Sequence, residues 1–228
     1  MGSSRKMQST ARDSQKRKFR RTYWVLGFAG SVVLLWGGVY LLQMGRYGGA
    51  VPFGGGEFNA TRQVQGKKKW AELLELPGVQ NFHKVSAELY RGAQPTAEGM
   101  EQLEKLGIKT VINLRSFHSD RDEIGDVKLG YEHITMKPWH PEDKEVVRFL
   151  EIVSDPNRTP VFVHCQRGAD RTGAMCAIYR VAVEGWSKTE AIEEMTKGGF
   201  GFFDGWENIV NYILKLDIDQ IKTRAGLE

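Results

Sequence analysis

The sequence predicts an α/β domain, a central and mainly parallel sheet flanked by helices, preceded by one N-terminal transmembrane helix. Three observations predict it. From about Trp70 onward, short apolar runs alternate with longer amphipathic ones, the pattern of strands and helices wound into a parallel sheet. One run, Val161–Val163, is apolar throughout and suits a strand buried on both faces. Upstream, the 24 residues from Thr22 to Gly45 carry no charge and follow a basic tail.

That upstream part divides by composition. Residues 1–22 hold Arg5, Lys6, Arg12, Lys16, Arg17, Lys18, Arg20 and Arg21 against Asp13 alone, a net of +7. The whole chain of 228 residues is +4, which leaves −3 for the rest. A mildly acidic body excludes a general nucleic-acid surface, so no nucleic-acid partner is expected. A bilayer core of ~30 Å needs ~20 apolar residues in a helix, and residues 23–45 suffice as a signal anchor. Tyr23, Trp24 and Tyr40 lie near its ends, at headgroup level. Positive charge before the span places the N-terminus in the cytoplasm and the remainder across the membrane, in the periplasm of a bacterium. Residues 46–69 are a Gly-rich linker, and residues 70–228 form the folded body of the chain.

Within the body, Asn81–Val85 and Glu88–Tyr90 read as short strands. Thr96 is a helix cap, Ala97–Leu106 the helix and Gly107 its stop. Lys109–Leu114 is a strand centred on Val111-Ile112, and Tyr131–Thr135 is another. Pro141 starts a helix through Val146, Val147, Phe149, Leu150 and Val153. After the buried strand comes a helix apolar nearly all round, from Ala174 to Ala182, which marks it as central. Ser187-x-x-Glu190 is a capping box for the next. Trp206–Ile221 is read as one amphipathic helix ending the domain.

Between the buried strand and the central helix lies His164-Cys165-Gln166-Arg167-Gly168-Ala169-Asp170-Arg171-Thr172-Gly173. Successive backbone N–H groups from Gln166 to Arg171 can form a nest for a phosphate group. A helix starting at Thr172 adds its positive end at the same spot. A thiol in that field is a thiolate at neutral pH and a nucleophile. Arg171 offers a planar fork to two phosphate oxygens. Cys176 reads as a buried small residue, and two cysteines make no disulfide framework. His83, His118, His133 and His140 lack metal-ligand spacing, so no metal and no cofactor are expected. A reactive thiolate beyond the cytoplasm is exposed to oxidation, a tension the sequence leaves open.

Cys165 and Arg171 with His164, Gly168, Thr172 and Gly173 form the signature of the cysteine-based phosphatases. From about Phe82 onward the chain resembles their dual-specificity branch. Leu89-Tyr90-Arg91-Gly92-Ala93-Gln94-Pro95 and Lys109-Thr110-Val111-Ile112-Asn113-Leu114-Arg115 resemble segments of a compact, atypical bacterial group. That group is related more distantly to plant and fungal phosphatases acting on inositol pyrophosphates. The resemblance implies that Cys165 attacks phosphorus and forms a phosphocysteine. Arg171 and the N–H groups of Gln166, Arg167, Gly168, Ala169 and Asp170 would hold the equatorial oxygens. His164 would fix the loop and lower the thiol pKa, and Thr172 would either stabilise the leaving thiolate or only open the helix. Relatives place a general-acid aspartate on a separate upstream loop. Here the candidates are Asp143, 22 residues before Cys165, its neighbour Glu142, and Asp170 inside the loop. Arg167 reads either as a second phosphate contact or as the partner of a helix carboxylate. The implied substrate is a phosphorylated protein or an inositol phosphate or phosphoinositide. A silent phosphate-binding module and a rhodanese-type sulfurtransferase are the competing readings.

Overall fold

The computed structural model describes residues 68–227. The expected basic tail, membrane span and nearly all of the linker lie outside the described residues. Among the described residues no helix is long and apolar enough to cross a membrane.

Six strands form one sheet: β1 (Glu72–Leu73), β2 (His83–Lys84), β3 (Leu89–Gly92), β4 (Thr110–Asn113), β5 (Gly130–His133) and β6 (Val161–His164), in the order β1-β2-β3-β6-β4-β5. The last four in that order are parallel, whereas β2 is antiparallel to both β1 and β3. The sheet is therefore mixed, where a mainly parallel one was expected. Residues 85–88 are all that join β2 to β3, and Val85 closes that turn on the Leu89 carbonyl at 2.9 Å. A parallel neighbour needs a crossover of about a dozen residues or more, so so short a link can only make a hairpin.

Seven helices complete the described domain: α1 (Ala97–Lys105), α2 (Arg121–Ile124), α3 (Asp143–Val153), α4 (Asp170–Ala182), α5 (Lys188–Lys197), α6 (Glu207–Lys215) and α7 (Ile218–Arg224). Most follow the sequence signals. The Thr96 hydroxyl accepts from Gly99 N at 3.2 Å and caps α1. Ser187 and Glu190 close both halves of their box at the start of α5. Three boundaries differ. α3 starts at Asp143 rather than Pro141, because Glu142 and Glu145 form a capping box there. The expected helix Trp206–Ile221 is two helices, because Asp217 accepts from Gln220 N at 3.0 Å and caps a new one. α4 begins at Asp170, not Thr172, so Arg171 and Thr172 belong to its first turn.

Side chains alternate across the sheet with the period of the strand. Val111 and Phe162 pack with Met100, Leu103 and Ile124 of α1 and α2 on one face. Ile112, Val161 and Val163 pack on the other with Phe149, Met175, Ile178, Ile209 and Ile221. Each such buried aliphatic chain stabilises the fold by roughly 1.5–3 kcal/mol. α4 is the centre of that second layer, buried from Thr172 to Arg180. Register then places the site. Gly92 and Asn113 both sit level with His164, and His133 is level with Asn113, so the loops leaving β3, β4, β5 and β6 emerge along one edge.

Candidate active site

Cys165 follows the last residue of β6 and α4 starts at Asp170, so the intervening turn is short and closely held. Its carbonyls are bonded outward. Gln94 N donates to Gln166 O at 3.3 Å, Asn81 Nδ2 to Arg167 O at 3.0 Å, and Arg91 Nη2 to Gly168 O at 2.7 Å. Across a trans peptide the N–H points opposite to the C=O. Fixing these carbonyls on the outside therefore turns the N–H groups of Arg167, Gly168 and Ala169 inward. Arg91 is 1% exposed and stacks 3.9 Å over the Phe200 ring, a rigid brace rather than a mobile charge. Gly168 has φ +70, and any Cβ there would be driven into the Gly92 backbone, so glycine is required twice over.

The Cys165 side chain closes the bottom of this turn, 2% exposed. Burial pushes its thiol up. Against that act the Thr172 hydroxyl, the Thr172 N–H, the Arg171 charge and the Arg167 N–H, and together they hold the thiol below its ordinary value. Thr172 Oγ1 is buried with no other hydrogen-bond partner among the described residues, so its hydroxyl can turn to the sulfur. Arg171 Nη1 reaches Leu114 O at 3.4 Å, and among the described residues Arg171 pairs with no carboxylate. Its guanidinium charge therefore has no carboxylate partner there and could receive an anion.

The expected site residues fall into two groups. His164, Cys165, Gln166, Arg167, Gly168, Ala169, Asp170, Arg171 and Thr172 share the turn and the helix start that follows it. Asp170 Oδ2 takes Arg167 Nη2 at 2.8 Å and Oδ1 takes Phe203 N at 2.9 Å. Glu142 and Asp143 stand instead at the start of α3. Asp143 Oδ1 accepts from Tyr212 Oη at 2.9 Å, and Arg224 approaches Oδ2 at 3.5 Å, so its carboxylate ties α3 to the last two helices. Glu142 pairs with Lys144 at 2.7 Å, and that bond holds its carboxyl below the usual range.

Sequence reasoning missed the braces Arg91, Asn81 and Gln94, and also Asp120. The last is a fully buried carboxylate on the loop after β4 that receives His164 Nε2 at 2.7 Å. It also brings His118, Asp120 and Glu123 within 4.8 Å of one another, a cluster the sequence spacing did not suggest. Those groups are bonded mainly among themselves and to Asn113 and Gln94.

A strand, a short anion-shaped turn over a thiol, and an arginine in the first turn of a helix can bind a phosphoryl group and attack it. The model of the family described as "DSP-PTPase phosphatase fused to NAD+ Kinase" matches residues 77–204, more than half of the chain. The chain belongs to the dual-specificity phosphatase family. It is a phosphatase of the tyrosine and dual-specificity type. It is 32% identical over 175 residues to the dual specificity protein phosphatase TpbA of Pseudomonas aeruginosa, covering 76% of this chain and 79% of that protein. The crystal structure of TpbA superposes with TM-score 0.61 at 32% identity, over 73% of this chain and 99% of that one. A TpbA variant in complex with phosphotyrosine gives TM-score 0.62 at 31% identity, over 70% and 97%. The inositol diphosphatase SIW14 of Saccharomyces cerevisiae is 28% identical over 160 residues, covering 64% of this chain and 54% of that protein.

Proposed function

We propose that this phosphatase hydrolyses phosphate monoesters through a phosphocysteine at Cys165. The observation that carries the reading is the lowered thiol: a buried sulfur held below its ordinary value by Thr172, Arg171 and a loop N–H is a nucleophile prepared for a dianion. Arg171 and the inward N–H groups of Arg167, Gly168 and Ala169 bind the equatorial oxygens and stabilise charge in the transition state. The sulfur attacks phosphorus, the P–O bond to the leaving group breaks, and a proton is delivered to that oxygen. Water then attacks the phosphocysteine and thiolate leaves, aided by Thr172 Oγ1. We assign the proton donor to Asp170, the one of the three candidate carboxylates inside the loop. Asp170→Asn then lowers kcat on an alkyl phosphate by about 10²–10⁴ and spares an aryl phosphate, whose leaving group needs no proton. An equal loss on both transfers the role to Asp143 or Glu142.

Phosphoprotein is the favoured substrate. One relative, matched over 79% of its length, is a protein phosphatase, and here Asp170 occupies the Arg167 guanidinium that a second phosphate would need. Inositol phosphate or phosphoinositide is the second reading, favoured by the Arg167 side chain being 62% exposed on the rim. Residues 23–45 are proposed as the membrane anchor, with the catalytic domain on the far side from the N-terminus. Resistance of the full chain to alkaline carbonate extraction would test that, and release into the soluble fraction would remove it.

The deciding experiment measures phosphate release from a phosphotyrosine peptide, phosphoinositides and inositol polyphosphates, with Cys165→Ser as control. Release from the peptide that vanishes in the variant supports the reading. Release from none identifies a silent binding module, and turnover of thiosulfate instead identifies a sulfurtransferase.

A further inference from the structure

We infer that Asp120 is a positioning residue for the reaction, acting on Cys165 through the His164 ring. The inference rests on Cys165 being the nucleophile. His164 is fully buried, and each of its ring nitrogens meets oxygen: Nδ1 the Cys165 carbonyl at 3.2 Å, Nε2 the Asp120 carboxylate at 2.7 Å. A backbone carbonyl only accepts, so Nδ1 donates to Cys165, and the contact from Nε2 to Asp120 fixes which way the ring faces. The carboxylate is itself held in place. Asp120 is 0% exposed, and its Oδ1 accepts from Asn113 Nδ2 at 2.8 Å and Gln94 Nε2 at 2.9 Å. Full burial keeps Asp120 from touching substrate, so its effect must travel through the ring.

The order in space sets the sign. Asp120 lies beyond the ring from Cys165, so the pair turns its positive end toward the cysteine backbone and its negative end away. The ring is further fixed by stacking on Phe162 at 5.7 Å. Other titratable or charged groups here are His118, 3.8 Å from Asp120, Glu123 bonded to His118, the Tyr131 hydroxyl accepting from Asp120 N at 3.1 Å, Arg115 bonded to Gln94, and Arg171. Gln94 also donates its backbone N–H to Gln166 O, so the same shell that holds the carboxylate holds the loop.

The test uses Asp120→Asn, which keeps the shape and removes the charge. We expect kcat on a phosphotyrosine peptide to fall about 10- to 100-fold with KM little changed. The pH midpoint for iodoacetamide alkylation of Cys165 should rise by on the order of one unit. In a His164→Ala background the same substitution should cost almost nothing more, because the path is gone. A residue that only supported the fold would lower the melting temperature in both backgrounds and leave the alkylation midpoint in place, which overturns the inference. Should the variant not fold, ¹⁵N spectra of the His164 ring in the wild-type protein decide: hydrogen-bonded shifts at both ring nitrogens support it, and an Nε2 without a hydrogen bond overturns it. Full activity of Cys165→Ser would sink the nucleophile assignment instead, so the two failures are distinguishable.

Discussion

Cys165 and Cys176 are almost equally hidden, 2% and 3% exposed, yet their thiols are displaced in opposite directions. Cys176 lies mid-way along α4 among apolar neighbours, and burial pushes it up to about 11. Cys165 stands before the start of that helix, where burial also pushes upward but is overcome by the Thr172 hydroxyl and N–H, the Arg171 charge and the Arg167 N–H. The sulfur in the body of the helix is thus held toward the thiol, and the one at its positive end toward the thiolate. Burial therefore sets no reactivity by itself; the donors left unpaired around the sulfur do.

The largest effect expected from that contrast is on turnover. Cys165→Ser should abolish phosphate release, whereas Cys176→Ser should stay within about twofold, since its loss touches packing alone. Comparable losses in both would break the comparison at its root. Next comes the shape of the turn. Gly168→Ala places a methyl against Gly92 and forces a positive φ on an L residue. Its N–H can then no longer face inward, and kcat should fall by about 10²-fold or more, as for the loss of an oxyanion donor. Thr172→Val is milder. With the hydroxyl gone, the Cys165 thiol should titrate at higher pH, so the acid limb of kcat/KM moves upward. Phosphocysteine hydrolysis should also slow, visible as a burst with an aryl phosphate. An unmoved limb would mean that Thr172 only opens the helix.

How much of this was legible in the sequence depends on how far each determinant reaches. Thr96, Ser187 and Glu190 act within one turn of themselves, and the caps they announce are present. The turn from Cys165 to Arg171 was legible for the same reason: strand, turn and helix are contiguous. What was missed lies far off along the chain. Arg91 braces Gly168, and Asp120 meets His164, only because β3, β4 and β6 run side by side in register. Neither residue has a local pattern to announce it. Asp217 was a local signal and was overlooked, because the apolar period of Trp206–Ile221 runs straight through its cap. Asp143 read as a candidate acid by position alone, and its hydrogen bond to Tyr212 is a contact only folding supplies.

The smallest expected effect is also the one that sets the two sulfurs most directly against each other, through stability at alkaline pH. For Cys176 the unfolded thiol ionises near 9.0 and the folded one only at about 11. Below that window both states keep the proton and the group contributes nothing. As pH rises through it, the unfolded chain binds fewer protons, so stability must fall. For Cys165 the folded value is the lower one. Its contribution is fully present above the unfolded value and is lost as pH falls through the folded value. Urea midpoints at pH 8, 9 and 10 should therefore show Cys176→Ala closing on the wild type as pH rises. Its starting deficit is roughly 1 kcal/mol for the small cavity left behind. Cys165→Ser, over the same range, should hold or widen its deficit. Two deficits that run parallel with pH would show that the two thiols ionise alike, and the contrast drawn between the end and the body of α4 would fail.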